Sequence, residues 1–287
     1  MVKLADEDIK TREVLDWKGL HVFHFIFSSC SQKLRIFLAL KGVDYESHEI
    51  DLMTNENLKD YFLGINPRGL LPAIVHDGDV HIESNDILTY LESVYPEPRL
   101  IPEGAEDKVA ALLKHEDDLH LDLRALSFRF VFNPPHDPKS PEDLEIYATT
   151  GSGTVNGQKD ERVGVEIDFW ETYADRGITD DVAQAAAEKF RKVFSVLDAT
   201  LADQDYLLTD GLSVLDIAWF IYANRLTLAG YPIARLHPNL GAWYARMEEM
   251  PEIAREISLP PPVKEKFDAT RAQHVADGVN LEAVAGL

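Results

Sequence analysis

The sequence predicts an α/β domain followed by an all-helical one, and three observations carry that expectation. Between His21 and Val94, short apolar runs alternate with stretches of helical periodicity in the order β-α-β-α-β-β-α. Pro96, Pro98 and Pro102 then interrupt both patterns, as a linker does. From about Glu106 the strand signals cease, and helical periodicity runs to Phe132 and resumes from Asp180. The expected boundaries are 19–98 for the first domain and 104–262 for the second, with a loop-rich insertion at 133–162 and extensions at 1–18 and 263–287.

Each element has its own signal. Residues 1–18 are a polar lead-in without a motif, and His21 opens a strand. The strand runs into a tight Ser28-Ser29-Cys30-Ser31 turn and an amphipathic helix over 31–42, which stops at Gly42. A strand over 46–52 and a helix over 55–63 follow. Strands 72–76 and 79–82 are joined through Asp77-Gly78, a strong hairpin signal, and helix 84–94 closes the domain. The insertion is punctuated by prolines 134, 135, 138 and 141 and glycines 151, 153 and 157, a composition that predicts a loop serving as a lid, a dimer contact or a mobile segment. Ser213 and Asp216 form a capping box at the start of a helix, a structural role. Beyond Pro260-Pro261-Pro262 the tail is polar and predicts one surface helix.

The chain of 287 residues, 45% hydrophobic, is long enough to fill two modest cores. No apolar run approaches the roughly 20 residues of a spanning helix, and the opening segment is acidic and hydrophilic. The one cysteine, Cys30, precludes an internal disulfide or a Cys-x-x-Cys site, so a reducing, cytoplasmic setting is expected. A net charge of -22 argues against nucleic acid and anionic membranes as partners. Lys33, Arg35 and Arg68 would still hold a small anion, because charges beyond a Debye length of about 8 Å matter little.

The most informative segment is the serine-rich turn. It puts hydroxyls and a thiol at a helix N-terminus, where free N–H groups and partial positive charge stabilise an anion, a thiolate best of all. The further motifs are Asn66-Pro67-Arg68-Gly69-Leu70-Leu71-Pro72 and Glu83-Ser84-Asn85-Asp86-Ile87. Together the three resemble the glutathione-binding half of the glutathione transferase superfamily, whose first domain is thioredoxin-like. The turn is similar to the zeta class at Ser28, Ser29, Cys30, Arg35, Lys41 and Gly42, with Gln32-Lys33 in place of its Trp-Arg pair. The stretches NPRGLLPAIVHDG, ESNDILTYLESVYPE and QDYLLTDGLSVLDIAWFIYANRL resemble the bacterial glutathione-dependent beta-aryl etherases.

The resemblance implies roles. Ser28, with Ser29 as alternate, would donate a hydrogen bond to the glutathione sulfur and lower a thiol pKa that is otherwise about 8.5. Cys30 would either form a mixed disulfide with glutathione or fill space behind the serines. Leu71, before a cis Pro72, would pair strand-fashion with the cysteinyl unit. Glu83 would take the γ-glutamyl ammonium, and Ser84, at the N-cap of the helix, the carboxylate. Phe130 and Trp170 are candidates for the pocket of a small aromatic or apolar electrophile. The implied activities are transfer, most specifically reductive beta-aryl ether cleavage, zeta-type cis-trans isomerisation, or glutathione binding without catalysis by a subunit of a homo- or heterodimer. No metal is implied: His115 and His120, five apart on one helix, would point about 140° away from each other.

Overall fold

The run around Val22 and Phe23 becomes an inner strand of a five-stranded sheet, with both residues almost wholly excluded from solvent. The computed structural model describes residues 2–132, 139–208 and 211–287. One unit comprises Met1–Pro96 with Asp137–Arg176, and a second comprises Glu97–His136 with Gly177–Leu287.

In the first unit the elements are β1 (Val2–Lys3), β2 (Leu20–His24), α1 (Ser29–Lys41), β3 (Glu46–Glu49), α2 (Asp60–Leu63), β4 (Ala73–His76), β5 (Asp79–Ile82) and α3 (Ser84–Val94). The sheet order is β1-β5-β4-β2-β3; β2 and β3 run parallel, and the other pairs are antiparallel. Helices α1 and α3 pack on each other. Helix α1 begins at Ser29, earlier than the expected 31, because the Ser28 hydroxyl accepts the Ser31 N–H as an N-cap. It stops at Gly42, whose φ of 63° suits a residue without a Cβ. Gly78 is required twice over: its φ is 90°, and a Cβ there would lie 2.3 Å from the Leu15 carbonyl oxygen.

Three expectations for this unit are corrected. The lead-in is part of the fold: Val2 pairs with Ile82, and Leu4, Ile9 and Val14 are buried in the core. These apolar residues are too widely spaced to register as a period, yet each plugs the core. The strand expected over 46–52 is a strand only to Glu49, since the Asp51 carboxylate accepts the Met53 N–H and starts a 3₁₀ turn. The helix expected over 55–63 is α-helical only from Asp60, after a short 3₁₀ turn at Glu56–Leu58.

The insertion is built, not loop. Residues 133–138 lie outside the described residues; the rest contains a helix Pro141–Thr150 and a hairpin of Thr154–Val155 with Gln158–Lys159, and a helix Arg162–Arg176 begins where the insertion ends. Ser140 and Asp143 form a capping box with Pro141 at the first helical position. Asp8, fully buried, accepts hydrogen bonds from Thr154 Oγ1 at 2.6 Å and from the Asn156 and Gly157 N–H groups. Lys10 Nζ donates to the Thr150 and Gly151 carbonyls, both at 2.6 Å. The hairpin is thereby pinned to the lead-in of the same unit.

The second unit is helical. Its central helix, Val214–Leu228, is buried on all sides from Val214 to Leu226, which explains the apolar run from Ile217 to Ala223. The Ser213–Asp216 box is present. The helix expected over Glu106–Phe132 is two, Glu106–Asp117 and His120–Phe130, with neither glycine nor proline at the break. His115 therefore faces Trp219 at 6.3 Å between centroids, whereas His120 Nδ1 bonds the Tyr222 hydroxyl at 3.0 Å. The tail forms the helix Pro261–Ala276 and a short one, Leu281–Ala285, whose Leu281 is fully buried. No described helix is long and apolar enough to cross a membrane.

Candidate functional site

Sheet register brings the three motifs to one end of the sheet. Phe23 pairs with Ala73, and Ala73 with Ile82. Just beyond that row, β2 leads to the Ser28 turn, Pro72 precedes Ala73, and Glu83 follows Ile82. Ser28, Ser29 and Cys30 are all partly exposed there. Ser28 uses a lone pair to accept the Ser31 N–H at 3.3 Å, and its own O–H remains a donor. Capping and sulfur activation are therefore compatible roles for one hydroxyl.

Arg35, two turns into α1, reaches back to hold the turn. It donates to the Phe25 carbonyl at 3.2 Å, the Ile26 carbonyl at 2.9 Å and His24 Nδ1 at 2.9 Å. A guanidinium only donates, so His24 must carry its proton on Nε2, which bonds Ser47 Oγ at 2.7 Å. Burial, then the Arg35 charge, hold the His24 pKa down to about 4, and burial above all lowers His81 to about 4. An unfolded histidine titrates near 6.5, so in this window the unfolded chain binds protons that the folded chain does not. Their contribution to stability is complete above about pH 6.5 and is lost as pH falls toward about 4. The urea midpoint is expected to drop across that window, and less steeply in His24→Gln; equal slopes would contradict the assignment.

The Leu71–Pro72 bond is cis, and Glu83 has φ 68° and ψ 114°. Such a conformation in a residue with a Cβ costs on the order of 1–3 kcal/mol and tends to be kept where a site needs it. The N-cap of α3 is Glu83, with Ser84 one position inside the helix, which corrects the expected placement of Ser84. Ser84 is buried, and its N–H belongs to the first turn.

Glu83 has an unforeseen partner. Arg68 Nη1 donates to Glu83 Oε1 at 2.6 Å, while the other edge of the guanidinium bonds Asp160, with Nη2 to Oδ1 at 3.1 Å. Burial opposes the Arg68 charge, but hydrogen bonds to Asp160 and Glu83 outweigh it and raise the pKa. The Glu83 side chain stays 34% exposed, so solvent reaches the carboxylate although one oxygen is held. Asp160 stands between the hairpin and the helix Arg162–Arg176, a stretch whose composition reads as loop; no motif marks it. The three cations expected to hold an external anion are engaged internally: Arg35 and Arg68 as above, and Lys33, fully buried, with Asn85 Oδ1 at 2.7 Å.

Of the two pocket candidates, Trp170 is partly exposed in the first unit, with Lys139 Nζ 4.8 Å above its ring. Phe130 is 3% exposed in the second unit and packs edge-on against His274 at 6.3 Å. Its surroundings are those of a core residue.

Comparison with known proteins follows the same division. Residues 27–94 match the glutathione S-transferase N-terminal domain, and residues 180–246 the C-terminal domain. Protein LigF of Sphingobium sp. (strain NBRC 103272 / SYK-6) is 30% identical over 226 residues, 74% of this chain and 83% of that protein. The crystal structure of beta-etherase LigF from that strain superposes with a TM-score of 0.70 at 27% identity, covering 83% of this chain and 98% of the other. A zeta-class glutathione S-transferase of Euphorbia esula is 43% identical over 89 residues, 31% of this chain. The chain spans about two fifths of the length of that relative and of others like it. The chain belongs to the glutathione S-transferase family.

Proposed function

We propose that this protein is a glutathione-dependent transferase in which an activated thiolate attacks a small aromatic or apolar electrophile, most specifically a beta-aryl ether. The observation that carries the reading is the meeting of the Ser28 turn, Pro72 and Glu83 at one end of the sheet. The likeness to LigF, which spans both halves of the family pattern, favours the ether over other electrophiles.

Each residue has a physical task. The Ser28 hydroxyl donates to the glutathione sulfur, and the α1 N-terminus adds favourable potential, so the thiolate exists at neutral pH. Leu71 offers its backbone to the cysteinyl unit. Glu83 takes the γ-glutamyl ammonium and the first N–H groups of α3, with Ser84, take its carboxylate. Arg68, braced by Asp160, fixes the Glu83 carboxylate in place before the ligand arrives. In the ether reaction the sulfur–carbon bond forms on the carbon beside the ketone as the carbon–oxygen bond breaks, and aryloxide leaves with the electron pair. Trp170 is retained as a candidate wall of the electrophile pocket, and Cys30 as a filler behind the serines. A cytoplasmic dimer is the proposed working form.

Zeta-type isomerisation is the weaker reading. The Trp-Arg pair of that pattern is Gln32-Lys33 here, and both side chains are buried within the protein.

Glu83→Ala is expected to raise the glutathione KM about tenfold or more while kcat changes little, since a charged hydrogen bond contributes about 1.5–3 kcal/mol. Steady-state kinetics with an aryl ether ketone, run beside a maleyl substrate, reads both the KM and the reaction class. An unchanged KM would remove Glu83 from the site.

A further inference from the structure

At the opposite end of β2 three side chains converge that the proposed reaction does not use. Parallel pairing sets His21 beside Glu46 and Phe23 beside His48, so that His21, Glu46 and His48 share one face at the edge of the sheet. His21 Nδ1 stands 3.0 Å from His48 Nε2 and 3.6 Å from a Glu46 carboxylate oxygen, and the other Glu46 oxygen is 3.9 Å from His48 Nε2. One donor atom from each residue lies within 4.8 Å of the other two.

The surroundings suit a bound cation. His21 Nε2 lies 3.0 Å from the Lys18 carbonyl, which fixes the proton on Nε2 and leaves the Nδ1 lone pair facing the cluster. A backbone carbonyl that orients the far nitrogen of a histidine is the usual outer support of a metal ligand. Trp17 covers the pair, 4.4 Å from His21 and 5.1 Å from His48 between ring centroids, and Phe23 lies 4.7 Å from His48. Glu46 is 67% exposed on the open side, where an ion would arrive and a water would complete the coordination.

We infer that His21, His48 and Glu46 form a site for one divalent transition metal of the zinc class. Two nitrogens each about 2.0–2.1 Å from a tetrahedral zinc stand about 3.3–3.4 Å apart, with ring centroids about 5.2 Å apart. The centroids here are already 5.3 Å apart, so the nitrogens need part by only a few tenths of an ångström through ring rotation. Two imidazoles and a carboxylate with an open position favour Zn²⁺, or Co²⁺ as its spectroscopic substitute, over Mg²⁺ or Ca²⁺. The metal would tie the edge strand β3 to β2, three residues or about 10 Å along the strand from His24 and the turn beyond it.

The test is a titration of the untagged, chelator-stripped full chain with Co²⁺ at neutral pH, followed by displacement with Zn²⁺. The expected result is visible absorption typical of a four-coordinate site, saturating at one equivalent and lost as Zn²⁺ is added. Affinity should fall about tenfold or more in His48→Asn and in Glu46→Gln. Glu46 is exposed, so the second variant keeps the fold even if the first does not. Zn²⁺ should also raise the melting temperature of the wild type and not of His48→Asn. No visible band, or equal affinity in wild type and Glu46→Gln, would overturn the site. In its place would stand a simple hydrogen bond between the two imidazoles.

Discussion

Ser28→Ala is expected to lower kcat/KM with an aryl ether ketone by about 100- to 1,000-fold, the usual loss when one preorganised donor to a developing or resident anion is removed. The position of the hydroxyl sets the size of the loss. Ser28 adopts φ -70° and ψ 122°, just outside α1, and accepts the Ser31 N–H. Its O–H is thus positioned at the positive end of the helix. Loss of the cap itself costs about 1 kcal/mol of stability, too little to unfold the chain. The kinetic loss should therefore greatly exceed any drop in folded protein, and the thiol pKa of bound glutathione, followed by ultraviolet titration, should rise. Ser29 lies inside the first turn of the same helix. Activity that survives in Ser28→Ala and vanishes in Ser29→Ala would transfer the role one residue along.

The second large effect is on stability. Asp216 is fully buried, and its carboxylate accepts four hydrogen bonds: from the Leu207 N–H at 2.9 Å, the Trp243 indole at 3.1 Å, and the Ser213 N–H and O–H at 2.9 and 2.7 Å. Asp216→Ala would orphan all four donors at once at the start of the central helix. Each unmet buried donor costs about 1–3 kcal/mol, reduced where water enters the vacated space. A total loss on the order of 3–5 kcal/mol is expected, a large share of the 5–15 kcal/mol typical of a folded protein. Urea unfolding should show it as a much lower midpoint. Among folded molecules the glutathione KM should hold, because the residues assigned to that ligand all lie in the other unit. A wild-type midpoint in the variant would refute the anchoring role.

What could be read from residues alone was whatever local chemistry determines. Asp77 and Gly78 form the turn between β4 and β5 with φ of 51° and 90°, as an Asp-Gly pair does. The Ser28 turn, Gly42 and the Ser213–Asp216 box likewise announce themselves, since each meets a backbone need with the residue type that serves it best. Features decided by distant partners were not legible. Leu4, Ile9 and Val14 mean little until the sheet supplies the hollows they fill. Ser140, Pro141 and Asp143 form a good helix start, yet prolines and glycines around them outweigh it in any reading by composition. Asp160 carries no signal because its meaning comes from Arg68, 92 positions away. The candidate site follows the same rule: its motifs are local, the sheet register brings them to one end, and the Arg68–Asp160 brace behind Glu83 is visible only in the structure.

The proposed function requires glutathione to bind with its thiol ionised beside Ser28. Calorimetric titration of glutathione into the protein, repeated in two buffers of different ionisation heat, reads that proton release. The binding heat is expected to change with the buffer, because the thiol proton passes to it, and to show no such dependence for S-methyl glutathione. Absence of heat, or the same heat in both buffers, would contradict it.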